Sequence, residues 1–479
     1  MTDGCLHTVY RNDTSHQCGL SSLEDGRCTF HTTEELHRTR DTVIPAMQEA
    51  ASKQQTVYEA DISGVDLTEF TFPDVEFVDA DFRRGRLQNA DLTAARFTTC
   101  DFGRADLRQA DLRHCNLSDS SFRRADLREA NLQETQFVQA DFSNADLREA
   151  TLTRTNLKNA SLQNTDLRDV NLDETILEQA DLRNANLQKA TLSMTNLQHA
   201  DLREGILSNA DISMASMEEV RLDNARLNNA DVREAFLQRS SLQDVDLMDA
   251  DIRNAFLDRA DLGGADLFNA DFGESRLGGT RFAGARLNSG TEFDSYVPGD
   301  PAREDNTNQQ AGFLEAINVY RRLERVHSEN LLDDRTTDYA VRRRRLEQRL
   351  AWKERRWGEY LILRLQNLAV RYGRNPFRAL AVSLLAILLF ALVYPILGIV
   401  ASGTTVTYPA SITEVNAIVR TLRTGLLYSI RTFLPFVGPG AQPATDVAQA
   451  ITALESLLGK LLLGLFGLDI AAQTGEENE

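Results

Sequence analysis

Cys5, Cys18, Cys28 and His31 stand at C-x12-C-x9-C-x2-H spacing near the start of a 479-residue chain, with His7 and His16 nearby. Three thiolates and one imidazole can close a tetrahedral zinc site, and the tight Cys28-Thr29-Phe30-His31 pair has the spacing of neighbouring ligands. Residues 1–40 are too few to bury a core, so Zn2+ would supply their folding energy. Free thiols in a flexible tail are the other reading of the same residues. The opening residues MTDGCLHTVYRNDTSHQC contain no apolar run. A secretory leader is therefore not expected, and reduced thiols or metal ligands are favoured over disulfides. No nucleotide-binding glycine loop, nucleophile elbow or metalloprotease helix motif follows, so the chain is not expected to be an enzyme.

What positions these residues is a repeat. From Ile62 every fifth residue is apolar (Leu67, Phe72, Phe77, Phe82 and onward to Phe282 and Leu287), about 46 hits without an insertion. Two positions before each stands a mostly small residue, as in Ala105-Asp106-Leu107 and Ala145-Asp146-Leu147. On an α-helix five residues advance about 500°, which smears the apolar side chains around the surface. On a strand an odd step sends successive side chains to opposite faces. A coil that turns a corner every five residues gathers all of them inside. Cys100 and Cys115 occupy small-residue positions and are expected to be buried apolar groups.

This A-D/N-L-x-x word over residues 60–291 resembles the pentapeptide-repeat family, whose members form a right-handed quadrilateral β-helix. The resemblance implies four sides and about twenty residues per coil. At an interstrand spacing of about 4.8 Å, roughly eleven coils would extend some 50–55 Å. Flanking segments are expected to cap the coil ends against edge pairing. Some family members mimic DNA with an acidic surface. Here the outward positions mix Arg and Asp, as in DLREA, so a solvated face is expected instead. His114 and His199 are read as surface histidines.

The net charge is −19, and roughly three quarters of the excess lies between Asp61 and Gly290. Such a balance repels polyanions and argues against nucleic acid as partner. It suits a salt-adapted surface, and together with the Cys/His knuckle, which similar archaeal proteins carry before the repeats, it points to a halophilic archaeon.

Residues 310–372 turn helical and basic, a charged linker in which Leu314, Ile317 and Leu323 recur at helical spacing. Ala379 to Ala401 carries no charge and is long enough to span a bilayer, with Pro395 near its end. A second apolar run, Ile451 to Ala472, is interrupted by Lys460, which should look inward if the run spans; an interfacial helix is the alternative. The arginines from Arg342 to Arg378 precede the first span. By the positive-inside rule they keep the repeats and the C-terminus in the cytoplasm. Residues 376–474 are thus expected to form a two-helix membrane domain.

Between the runs, an apolar segment ends in Phe436-Val437-Gly438-Pro439-Gly440. The order span, half-helix, Gly-x-Gly, span resembles the two-helix pore domain of the potassium-channel-like superfamily. The resemblance implies that Val437, Gly438, Pro439 and Gly440 align with an ion filter, whose backbone carbonyls face a monovalent cation. Pro439 departs from the tyrosine usual there, because its ring fixes φ, and Phe436 removes a lining hydroxyl. A pore of this type needs a homotetramer. The fold class expected is therefore a β-solenoid followed by an α-helical linker and a two-helix membrane domain. The function expected is an ion-channel-like membrane protein with a cytoplasmic repeat scaffold. The alternative is a membrane-tethered protein-interaction scaffold, without conduction, that binds an unidentified protein partner.

Overall fold

The computed structural model describes residues 8–11, 14–17, 31, 39–293, 309–370, 376–401, 404–407, 415–434 and 442–475. The chain divides into two compact units, Met1–Leu332 and Asp333–Glu479.

In the first unit, β1 (Thr8–Arg11) and β2 (Thr14–Gln17) pair as an antiparallel hairpin. Helix α1 (Arg40–Ser52) buries Val43, Met47 and Ala50. The chain then enters β3 (Thr56–Tyr58), which pairs in parallel with β4 (Glu76–Val78) and through it with β5 (Arg96–Thr98). Each partner stands 20 residues on, and the same parallel register recurs in isolated bridges from Asp61↔Asp81 to Asp266↔Arg286. Ladder hydrogen bonds satisfy the backbone between coils. The Ile62 N–H donates to the Asp81 carbonyl at 2.8 Å and the Asp81 N–H to the Ala60 carbonyl at 2.8 Å.

Three local choices in the five-residue word build each side. The central Leu or Phe points inward and is buried in every coil. The residue two positions later takes a left-handed conformation, as at Gln109 (φ 57) and Asn144 (φ 62), and the following small residue closes a turn, Ala110 N–H to Leu107 carbonyl at 3.1 Å. That conformation costs an ordinary residue roughly 1–2 kcal/mol, which the ladder and core offset. The Asp or Asn before the central residue accepts from the turn backbone, as Asp81 Oδ1 does from the Arg83 N–H at 2.9 Å, which is why those short acceptors recur there. Where Thr replaces Ala at the small position, its buried hydroxyl finds a carbonyl: Thr155 Oγ1 donates to Leu132 at 2.9 Å.

Phe82, Phe102, Phe122 and Phe142 form one column, with ring centroids 4.7, 5.0 and 4.8 Å apart and planes within 8° of parallel. Cys100 and Cys115 are buried in the small-residue positions. Burial pushes both thiols up to about 12. Both should therefore resist alkylation at pH 8 in the folded protein and react once it is denatured, read by peptide mass spectrometry. Native labelling of either would contradict its enclosure.

The far end is closed by α2 (Gln309–Glu329). Phe313, Ala316, Ile317, Leu323 and Val326 are buried, whereas Leu314, expected on the packed face, is exposed. Ile317 and Leu323 thus lie on the packed face as the spacing suggested, and Phe313 rather than Leu314 joins them. Within the solenoid the Leu267 N–H donates to the Arg286 carbonyl, and the Arg286 N–H to the Ala265 carbonyl. One coil later the side-chain amide of Asn330 takes both places, accepting from the Leu287 N–H and donating to the Ala285 carbonyl, each at 2.9 Å. One side chain thus stands in for a peptide group of a coil that is not there. Asn330→Leu should cost about 1–3 kcal/mol, the penalty for leaving such groups unpaired. Amide exchange of Leu287 should rise with it, and unchanged protection would contradict the cap.

The second unit contains α3 (Asp333–Lys353), α4 (Trp357–Val370), α5 (Pro376–Leu397), α6 (Val415–Phe433) and α7 (Asp446–Gly475). Strand β6 (Ile399–Ala401) pairs antiparallel with β7 (Thr404–Val406) and β8 (Gln442–Pro443). Helices follow the repeats as expected, and between the apolar runs of residues 376–474, where a half-helix was expected, stands the 19-residue α6. The first apolar run also stops being helical at Leu397, because Gly398 (φ 81) turns the chain into β6. Tyr394 and Tyr428 pack edge to face at 4.7 Å with Phe390 and Ile451 beside them. Gly425 and Gly459 allow close helix approach. A Cβ on Gly425 would lie 2.5 Å from the Ala391 carbonyl oxygen, and one on Gly459 2.2 Å from that of Phe433.

Candidate functional site

The solenoid presents its chemistry in columns, because residues 20 apart stack. On one side, Arg108, Arg128, Arg148 and Arg168 each grip the aspartate two residues back, at 2.6–2.8 Å. The first three also reach the aspartate of the next coil at 3.6–3.7 Å. Hydrogen bonding and charge from Asp126 push the Arg128 guanidinium further up. This ladder neutralises itself and is a structural surface. His114 and His199, read as surface histidines, face Glu134 at 3.3 Å and Glu219 at 3.4 Å, one coil on. Adding twenty to each number would have found both partners.

A different column carries no such compensation. Gly64, Arg84, Arg104 and Arg124 occupy the same corner in four successive coils, all left-handed with φ between 57 and 70. They border a groove of about 860 Å³ that also touches Arg83, Arg123 and Asp101. Arg83 is held by Asp81 and Arg123 by Asp141 at 2.9 Å. Among the described residues, no carboxylate lies within ion-pair distance of Arg84, Arg104 or Arg124.

Among the described residues of the second unit, one carboxyl is buried. Glu455 of α7 is fully enclosed and accepts from the hydroxyls of Tyr394 on α5 and Ser429 on α6, so one group ties three helices together. In the sequence Lys460 was the residue of this run expected to look inward if the run spans. Five residues on an α-helix turn about 140° past a full turn, so with Glu455 inside, Lys460 is exposed. The outer surface of α5 is apolar: Leu384, Leu385, Leu388, Leu389, Leu392 and Ile396 are 51–71% exposed. Among the described residues no helix is long and apolar enough to cross a membrane, the described side chains of α5 beginning at Ala381.

Of the four expected zinc ligands, Cys5, Cys18 and Cys28 lie outside the described residues, as do all four filter-like residues, Val437, Gly438, Pro439 and Gly440. His31 is described and buried, its Nε2 2.6 Å from the Tyr58 carbonyl oxygen. A metal at this residue would therefore bind through Nδ1. Among the described residues no group of three or more His, Cys, Asp or Glu side chains is placed to hold a metal.

Coils of four five-residue sides in parallel register define the first unit as a quadrilateral β-solenoid. A model described as "Pentapeptide repeat region" matches residues 95–172, and one described as "Pentapeptide repeats (8 copies)" matches 60–98, 165–204, 206–244 and 246–284. HetL, a pentapeptide repeat protein involved in heterocyst differentiation regulation from the cyanobacterium Nostoc sp., is 31% identical over 46% of this chain and 89% of its own, with a TM-score of 0.26. QnrB1, a plasmid-mediated fluoroquinolone resistance protein, is 15% identical over 49% of this chain and 92% of its own, with a TM-score of 0.18. A thylakoid-lumen pentapeptide repeat protein of Arabidopsis thaliana is 25% identical over 24% of this chain and 70% of its own, with a TM-score of 0.14. No curated protein matches the chain. The chain belongs to the pentapeptide-repeat family, whose fold is the right-handed quadrilateral β-helix.

Proposed function

We propose that the protein is a membrane-tethered interaction scaffold, in which the solenoid offers columns of side chains to a protein partner and the helical unit holds it at a bilayer. The observation that carries the tether is the run of exposed leucines on α5, a surface that water disfavours and lipid accepts. The arginines from Arg342 to Arg374 precede that helix, which favours a cytoplasmic solenoid. An acidic, self-paired repeat surface supports protein rather than nucleic acid as partner. Conduction by a tetramer is the second reading. It draws on the α5–α6–α7 order and on the filter-like residues 437–440.

Flotation of purified full-length chain with lipid vesicles tests the tether. Co-flotation supports it, and chain remaining at the bottom without detergent overturns it. Potassium flux from the same vesicles, together with a tetrameric mass in detergent, would move the assignment to the second reading. A zinc ion at Cys5, Cys18, Cys28 and His31 belongs to the same proposal as a structural clasp. It should give one zinc per chain by elemental analysis, lost in Cys28→Ser, and a zinc-free native chain would remove the clasp.

A further inference from the structure

We propose that the Arg84–Arg104–Arg124 column is a binding site for a linear oligophosphate. Stacked coils repeat at about 4.8 Å, so like charges directly opposite one another in one column repel and destabilise the stack. Other arginines of the solenoid stand opposite carboxylates: Arg86 by Asp66 at 3.3 Å, Arg154 by Glu174 at 2.9 Å, Arg286 by Asp266 at 3.0 Å. The chain as a whole carries a charge of −19, so carboxylates are plentiful. In this column three consecutive guanidiniums have none.

The backbone holds the three in one conformation. The Arg84 N–H donates to the Gly103 carbonyl at 3.0 Å, that of Arg104 to the Arg123 carbonyl at 2.9 Å, and that of Arg124 to the Ser143 carbonyl at 3.1 Å. Their side chains therefore leave the same corner in the same direction. Glycines open the surface beside them. A Cβ at Gly64, which heads the column, would meet nothing within 4 Å, and one at Gly103 would lie 2.9 Å from Asp101 Oδ1 and 3.6 Å from the Arg83 side chain. Gly103 lines the groove between Arg83 and Arg123 without a side chain of its own. A groove of about 860 Å³ falls within the range of small-ligand sites.

Three planar forks in line, each able to grip two oxygens, match an anion whose charged oxygens also run in line. Orthophosphate and sulfate engage one or two forks. A triphosphate chain engages three and replaces the carboxylates that the column lacks.

The test is isothermal titration calorimetry of the detergent-solubilised full chain with inorganic triphosphate, orthophosphate and sulfate at low and high salt. Asn144 and Asn164 fill this same corner in later coils with φ 62 and 56, so Arg104→Asn is a substitution the fold already accepts. Triphosphate should bind one per chain, more weakly at high salt. Arg104→Asn should weaken it roughly 10- to 100-fold, as expected for loss of a charged hydrogen-bonding partner. Arg226→Asn, outside the column, should change nothing. No triphosphate binding, equal binding of orthophosphate, or full affinity in Arg104→Asn at an unchanged melting temperature would overturn the site. None of these outcomes bears on vesicle flotation, so this inference and the tether fail separately.

Discussion

Phe122→Ala should lower the stability of the solenoid by about 3–5 kcal/mol, the cost of emptying a large aromatic from a core that cannot collapse. Phe122 is fully buried, stacked between Phe102 at 5.0 Å and Phe142 at 4.8 Å, with Phe137 edge-on at 5.4 Å. The coils are locked to their neighbours by ladder hydrogen bonds, so a ring cannot be replaced by sliding one layer onto the next. In a solenoid each coil contacts only its neighbours. The cavity therefore weakens one interface rather than the whole. Hydrogen exchange should show protection falling most around residues 102–142. Phe293→Ala, beside Phe272 and His327 in the last coil, should instead fray only that end. A uniform loss of protection in both variants would contradict nearest-neighbour stacking.

Leu388→Asp with Leu392→Asp should release the protein from membranes. Both leucines are about half exposed on α5. An aspartate at the centre of a membrane helix costs about 2.5–3.5 kcal/mol, so the pair sums to about 5–7 kcal/mol. That is a partition change of more than three powers of ten at 1.4 kcal/mol each. Because neither side chain is enclosed, the helical unit should keep its fold, with Glu455 still held by Tyr394 and Ser429. Quantitative vesicle sedimentation of the double variant against the native chain reads the effect. Equal partition of the two would show that α5 does not face lipid.

The solenoid was legible because a period of five has one economical solution, and residues Ile62 to Leu287 keep that period without interruption. The burial of Cys100 and Cys115 followed from the same frame. Partners one coil apart, such as His199 and Glu219, were equally encoded but appear only when the sequence is folded at twenty. Asn330 was not legible: it reaches a carbonyl 45 residues back, and its role as a substitute peptide depends on where α2 places it. In the helical unit hydropathy located the apolar runs but not their ends, since a glycine at 398 stops α5 where composition continues. That Glu455 and not Lys460 faces inward was missed for a related reason. Position along a run says how far a residue is from its end, whereas the helix phase decides which way it points. The arginine column lay between these cases, visible in the numbering yet meaningful only once its three guanidiniums proved to have no carboxylate within ion-pair distance among the described residues.

Alkaline carbonate extraction of membranes from cells making the full-length chain tests the central claim most directly. The account predicts that the protein stays with the pellet and leaves it only with detergent, while the Leu388→Asp/Leu392→Asp variant is found in the supernatant. Release of the native chain by carbonate alone would contradict a tethered scaffold.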